Sequence, residues 1–393
     1  MPKAIIVGGG IAGLASGIAF AKAGWHVTVL ERARRIEPMG AALSLWPNAC
    51  AAMASLGILG AVTAAAAPIR RMLLATQDGA PILSRPLSDT ALLATRTALQ
   101  NALLVALGAD QLRLGCEVGD VAPGRVTLTN GEVLACDLVV DAGGIRAPSN
   151  TGAPPAYAGY GGVLALSGRV AGLGLEDVAA EYWSSHQRFG VFELPDSRRY
   201  WFLMRTQPVT ALMPDRAACA AAAEGWPLPI RDAIAATPPD ALIPFVVHAK
   251  PPPKTLCAPG IIRVGDAAHA MEPNLGQGAC QGLEDAAALQ AIAAAVALAQ
   301  VAALYERLRL KRVRMFVRES ALGRLGVHGP RPVQYLMRAT LRAIPMALFA
   351  RRSGARDRCT GGESSGDSPL GQPNRLLRQS PQAVPCPWQI PRS

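Results

Sequence analysis

Three glycines, Gly8, Gly10 and Gly13, follow a short apolar run and open an apolar helical stretch. At that spacing, bare backbone lets a pyrophosphate approach a helix N-terminus, where unpaired N–H groups and the helix dipole favour negative charge. Glu31 ends the next apolar run, eighteen residues after Gly13, placed to accept from an adenosine ribose hydroxyl. Arg32 follows it, either packed over the adenine or turned to solvent. Glycines and acid together suit NAD and FAD alike. Far along the chain, Gly265-Asp266-Ala267-Ala268-His269 follows another apolar run and leads through Pro273 to Gly276-Gln277-Gly278 and a helix. Asp266 at a strand end accepts from polyol hydroxyls, and the backbone from Gly276 to Gly278 offers N–H donors to an electron-rich ring. A flavin needs both, so this second cluster selects FAD.

These residues need elements to hold them. Residues 3–7 (KAIIV) read as a buried strand, the glycine cluster as a sharp turn, the following stretch as a helix ended by Gly24, and HVTVLE as a second strand. That is the opening of a doubly wound, Rossmann-like parallel sheet. The runs VLACDLVVDAGG and GIIRVGDAAH read as later strands of the same sheet. Between 157 and 256 short runs alternate apolar and polar residues, the pattern of an antiparallel sheet with one covered face. The fold class is therefore α/β, an FAD-binding sheet with an inserted, mainly antiparallel substrate domain. Residues 1–155 and 257–305 are assigned to the cofactor domain, 156–256 to the substrate domain, 306–352 to a helical region and 353–393 to a disordered tail rich in Gly, Ser, Pro and Arg.

Composition narrows the partners. Residues 307–393 carry 17 Lys and Arg against 4 Asp and Glu, whereas the whole chain carries a formal +11, so the excess belongs to the C-terminal part. No recognition motif accompanies it, and nucleic acid is not expected as a partner. Eight cysteines are scattered without CxxC pairs or nearby metal-spaced histidines, which reads as reduced cytoplasmic thiols and no metal site. Residues 286–304 are uncharged, but Gln290 and Gln300 interrupt them and Asp285 and Glu306 bracket them. They read as one buried helix lying on a sheet rather than a membrane span. The basic stretch at 335–352 is interrupted by Pro345 and reads as packing against the body or a second subunit, in a monomer or homodimer.

From about residue 3 to 320 the sequence resembles the aromatic-hydroxylase family of FAD monooxygenases, which includes salicylate, para-hydroxybenzoate and urate hydroxylases. The likeness rests on GGGIAG with Glu31-Arg32, GAALSLWPNA at 40–49, Arg96 in TRTALQNAL, DLVVDAGGIR, and VGDAAHAMEPNLGQGACQGLEDA. It implies that Ala12 and Val118 touch FAD through backbone, that Ser44 lies along the cofactor, that Arg96 approaches the ribityl or pyrophosphate region, and that Pro273 and the 276–278 loop flank the flavin ring. It also implies that NADPH or NADH reduces the FAD and that O₂, by way of a flavin hydroperoxide, delivers one oxygen atom to a small aromatic or unsaturated substrate. The cofactor does the difficult chemistry and the protein shields and positions, so no dedicated nucleophile is expected.

One departure stands out. Where the family carries an acid, this chain has Gly143, with Asp141 two residues upstream. That change raises the alternative of a diverged flavoprotein that binds FAD without oxygenating. Arg199 and Tyr200 lie on an expected strand, either reaching a substrate or forming ordinary sheet surface. His269 reads as a loop anchor before an acid/base group. Residues 161–166 (GGVLAL) offer no side-chain amide, which favours an apolar or phenolic ring over a purine.

Overall fold

The computed structural model describes residues 1–36, 41–150, 152–170, 172, 174–211 and 214–343. Gly40, the distal part of the 335–352 stretch and the expected tail at 353–393 lie outside the described residues.

In chain order the cofactor half begins with β1 (Lys3–Val7), α1 (Ile11–Lys22) and β2 (His26–Glu31). Next come β3 (Ala42–Leu45), α2 (Pro47–Leu56), α3 (Leu59–Thr63), β4 (Ala66–Thr76), β5 (Pro81–Thr95) and α4 (Arg96–Leu107). Four short strands follow, β6 (Leu112–Leu114), β7 (Val118–Ala122), β8 (Arg125–Leu128) and β9 (Val133–Ala135), then β10 (Leu138–Asp141). The middle of the chain supplies β11 (Ala156–Arg169), β12 (Val178–Trp183), β13 (Gln187–Glu193), β14 (Arg198–Thr206), α5 (Arg216–Ala222), α6 (Leu228–Ala235) and β15 (Ile243–Ala249). Last are β16 (Cys257–Ala258), β17 (Ile261–Arg263), α7 (Asp266–His269), α8 (Gly278–Ala295), α9 (Leu298–Gly323), α10 (Leu325–His328) and α11 (Arg331–Ala343).

β1 sits inside a six-stranded sheet in the order β16-β17-β10-β1-β2-β6, parallel to β10 and β2 on either side. Being covered on both faces, it is an unbroken apolar run. α1 packs onto it closely: a Cβ on Gly17 would stand 2.8 Å from Leu107 and 2.9 Å from Val29.

The second sheet has eight strands in the order β15-β11-β14-β13-β12-β4-β5-β3. Its last three strands come from residues 42–95, which the sequence reading placed in the cofactor domain. β4 runs parallel to β12, from Arg71 opposite Val178 to Thr76 opposite Trp183. This pairing spans about a hundred residues of chain, and no local pattern announces it. Along β14, Trp201 and Leu203 face the core shared with α5 and α6, while Tyr200, Phe202 and Met204 face the other way.

The single helix expected across 286–304 is two. Val296 is extended (φ −133, ψ 161) and Ala297 restarts the chain as the N-cap of α9. Neither proline nor glycine breaks the run. The break lets α9 fold back along α8 so that Arg309 reaches Glu284 and Asp285, all three fully buried. Arg309 Nε donates to Asp285 Oδ1 at 2.8 Å, its Nη1 donates to Glu284, and its Nη2 donates to Gln281 Oε1 at 2.8 Å. Arg312 adds two donations to Glu284, at 2.6 and 2.8 Å. Among the described residues no helix is long and apolar enough to cross a membrane.

Removing one partner of a buried ion cluster strands the opposite charge, so Arg309→Met should cost about 3–5 kcal/mol, read as a lowered urea midpoint. Burial works against the Asp285 charge, but His269, Arg309 and the Gly265 N–H outweigh it and hold the carboxyl from its ordinary 3.8 down to about 2. Because the folded value is depressed, the contribution is complete above the ordinary carboxylate range. It should fade as pH falls from about 4 towards 2, visible as a falling melting temperature.

Candidate active site

The first glycine turn is built for close approach. Gly8 is left-handed (φ +99), and its N–H donates to the Leu30 carbonyl at 2.7 Å. A Cβ on Gly13 would stand 1.9 Å from the Gly8 carbonyl oxygen, so only glycine lets α1 start so near β1. Gly10, the N-cap of α1, is exposed, has no capping side chain, and would carry a Cβ into open space. The first turn of α1 therefore starts without a side-chain cap on its N–H groups, beside an exposed glycine. Glu31 Oε2 accepts from the Gly9 N–H at 2.7 Å and Oε1 from the Ala33 N–H at 2.9 Å, tying the turn to the end of β2. Arg32 is exposed, and Val118 is half-buried at the start of β7.

The second cluster meets the first through Ala12. A Cβ on Gly265 (φ +56) would lie 2.7 Å from the Ala12 methyl, and one on Gly282 of α8 would lie 3.0 Å from it. Small residues thus bring α1, α7 and α8 together. Asp266 is exposed at the start of α7 and near Arg96, whose guanidinium burial pulls below its usual value and the Asp266 charge partly restores. Pro273–Leu275 form a tight turn, and Gly276 (φ +61) leaves room for Trp46, whose Nε1 would sit 2.9 Å from a Cβ there. Gly278 opens α8 with nothing within 4 Å of a built Cβ. Ser44 joins the group through its carbonyl, which accepts from the Cys280 thiol at 3.5 Å.

The Gln277 side chain points inward, accepting from Asn48 at 2.9 Å and Gln281 at 3.1 Å, which leaves its backbone to face a ligand. One expectation needs correction. Arg199 and Tyr200 stand on opposite faces of β14, as adjacent strand residues must. Arg199 is fully buried on the α5/α6 side, its guanidinium 3.5 Å from Glu193, and does not share a face with Tyr200. His269 is the anchor it was read as: Nε2 pairs with Asp285 Oδ2 at 2.7 Å, and the same oxygen accepts from the Gly265 N–H at 3.0 Å. Asp141 serves its own loop, accepting from the Gly143 N–H and the Ser149 N–H, both at 2.9 Å. A Cβ on Gly143 would stand 3.0 Å from Asp141 Oδ1, so the family's acid would meet a like charge here.

The face of the large sheet carrying Tyr200 abuts the 272–278 loop: Tyr160 of β11 donates its hydroxyl to Glu272 Oε2 at 3.0 Å. Around it lie Phe192, Phe202, Met204, Leu164, Leu166 and Phe245. Within this apolar surface sits Arg188 of β13, with a side chain only 3% exposed. Its Nε and Nη2 reach only the thioether of Met204, at 3.4 and 3.1 Å, and Nη1 stands 3.4 Å from Glu181 Oε2. The guanidinium carbon lies 5.4 Å from the Phe202 ring centre. Sequence reasoning missed Arg188, because an arginine in an alternating strand reads as solvent face. The packing of that face against the loop, through Tyr160 and Glu272, buries it.

A bare, uncapped helix start, an acid closing the second strand, a second open glycine turn and an apolar face beside it define a dinucleotide-dependent oxidoreductase, and the open backbone at Gly10 and Gly278 accommodates FAD. The chain matches the FAD binding domain family over residues 2–320 and belongs to it, as an FAD-dependent monooxygenase. It is 33% identical over 344 residues to the aurachin C monooxygenase/isomerase of Stigmatella aurantiaca, covering 82% of this chain and 89% of that protein. It is 31% identical over 377 residues to the 2-heptyl-3-hydroxy-4(1H)-quinolone synthase of Pseudomonas aeruginosa, covering 88% and 95%. The structure of Klebsiella pneumoniae HpxO complexed with FAD and uric acid superposes with a TM-score of 0.82 at 26% identity, covering 91% of this chain and 96% of that one. The reading as a non-oxygenating flavoprotein is not favoured by these relatives.

The two kinds of glycine should separate experimentally. Gly10→Ala should leave the melting temperature of the FAD-free protein unchanged and weaken FAD binding at least tenfold, whereas Gly13→Ala should lower that melting temperature outright. Asp266→Ala should purify without the yellow absorbance of bound flavin. Wild-type FAD affinity in Gly10→Ala and Asp266→Ala would remove both turns from the cofactor site.

Proposed function

We propose that this monooxygenase acts on an apolar, nitrogen-containing bicyclic ring that bears an alkyl chain and one ionisable oxygen, the chemistry of an alkylquinolone. The carrying observation is Arg188, a buried cation whose neighbours on the apolar face are a thioether, an aromatic ring and one carboxylate, Glu181, paired with Nη1 at 3.4 Å. Its Nε and Nη2 meet the weakly accepting Met204 sulfur, and an anionic ligand oxygen would be a stronger acceptor for them. The names of two relatives, which act in aurachin and heptylquinolone chemistry, support this class. A purine offers many polar edges and little apolar area, and the face around Arg188 offers the reverse.

In this reading Gly8–Gly13, Ala12, Glu31, Arg32, Ser44, Arg96, Val118, Asp266 and the 273–278 turn hold FAD. Bound FAD, reduced by NADPH or NADH, supplies the electrons and activates O₂. The protein's own contribution is placement and charge. Tyr200, Phe202 and Phe192 exclude water from one side of the ring, and Arg188 draws the ring towards its oxyanion form. That form is rich in electrons at the neighbouring carbon, where an electrophilic oxygen adds.

Incubation with 2-heptyl-4(1H)-quinolone, NAD(P)H and ¹⁸O₂ should give a product heavier by one labelled oxygen, with uric acid a poor substrate. Efficient urate turnover with no alkylquinolone binding would overturn the substrate class. A hydrogen bond to a charged group contributes about 1.5–3 kcal/mol, so Arg188→Met should weaken quinolone binding by about 10- to 150-fold and leave the FAD content unchanged.

A further inference from the structure

Beside Arg188 lies a chain of polar groups that cofactor binding does not use. Glu272 immediately precedes Pro273 of the flavin-side turn, is 4% exposed, and stands where the sheet, the turn and the end of α9 meet. Its Oε2 accepts from the Tyr160 hydroxyl at 3.0 Å and from Asn274 Nδ2 at 3.0 Å, and its Oε1 lies 3.3 Å from Arg324 Nη1. The Tyr160 ring stacks on His328 with centroids 4.1 Å apart and planes 11° apart, and His328 Nδ1 lies 2.9 Å from Thr206 Oγ1. Tyr160 belongs to the same apolar face as Phe202 and Met204. One end of this chain, the fully buried Tyr160, is therefore packed into the apolar face on which the substrate reading rests. The other reaches Arg324, whose side chain is 42% exposed.

We propose that Glu272, acting through Tyr160, accepts the proton that the substrate ring loses after oxygen is added. The inference rests on the substrate reading given above. The attacked carbon gains a C–O bond while still carrying its hydrogen. Restoring the aromatic ring breaks that C–H bond, leaves its electron pair in the ring, and releases a proton. The Tyr160 hydroxyl oxygen takes this proton as it passes its own to Glu272 Oε2, and Glu272 returns it to solvent beside Arg324. The oxidant and reductant are the O₂ and NAD(P)H of the established activity, so the step itself is a proton transfer.

The electrostatics of the cluster suit an acceptor. Burial raises Glu272 above the usual carboxylate range, and Tyr160, Arg324, Asn274 and Arg188 only partly offset this, which moves its basicity towards working pH. The other groups facing it do not titrate there. Burial and the nearby Arg188, His186 and Arg324 push His328 down to about 3, so its ring is neutral, and burial pushes the Tyr160 hydroxyl up.

The test uses the FAD-loaded full chain and a product-like probe, 3-hydroxy-2-methyl-4(1H)-quinolone. On binding at neutral pH, difference infrared spectra of the wild type should show a new protonated-carboxyl band, absent in Glu272→Gln and in Tyr160→Phe. Tyr160→Phe keeps the ring stack and leaves Glu272 its Asn274 and Arg324 partners, which guards against a simple folding defect. Turnover should fall on the order of 100-fold in both variants, and flavin reduction by NAD(P)H should stay within about twofold of wild type. The rise of kcat with pH on the acid side should vanish in Glu272→Gln. Binding of the probe without the band, or an unchanged acid limb in Glu272→Gln, overturns this inference alone. Failure of the probe to bind overturns the substrate reading and this inference with it.

Discussion

A guanidinium closed off between two carboxylates holds the cofactor half of this molecule together. Arg309 comes from α9, and Glu284 and Asp285 are consecutive residues of α8. Three buried charges cost a great deal unless each meets its partners in good geometry, and here they do. Asp285 turns its other oxygen to the Gly265 N–H and to His269, so the same contact that docks α9 also fixes the loop carrying Asp266. Glu284 accepts from Asn48 of α2, and Gln277 and Gln281 link the start of α8 to the same network. The cofactor site proposed from residues near 10, 44, 96 and 266 needs such an anchor, because its parts come from four separate stretches of chain.

The second organising constraint is the two-sidedness of the large sheet. One face closes over α5 and α6 with Trp201, Trp226 and Ile230, and is ordinary core. The other carries Tyr160, Tyr200, Phe202 and Arg188 towards the flavin-side turn. Strand alternation distributes neighbours between these faces without regard to their chemistry. Arg199 and Arg188 are both buried arginines of adjacent strands, yet only Arg188 lies on the face with Phe202 and Met204.

The cofactor turns were readable from the sequence because their physics is local. Glycine at 8 and 13 answers to a positive φ and a Cβ clash within a few residues, and the acid at 31 lies one strand away. The strand, turn, helix and strand around them follow from apolar periodicity. The reading was poorest where local pattern and long-range packing disagree. Residues 286–304 have the composition of one helix, and the break at Val296 lets Arg309 return to Glu284 and Asp285. β3, β4 and β5 carry weak alternation, and their place in the eight-stranded sheet depends on β12 and its parallel pairing.

By itself, then, the sequence determined the nucleotide-binding turns, the choice of FAD, the class of chemistry and the presence of a sheet between residues 156 and 256, since each is written in residue types at short spacing. Tertiary structure alone decided which face of that sheet meets the 272–278 loop, that residues 42–95 complete it, that Arg188 rather than Arg199 stands on that face, and that Glu272 joins Tyr160 and Arg324. Those facts depend on which distant strands pair and how a face is turned. A one-residue change of register in β13 or β14 would turn its arginine to the other face without altering the local pattern.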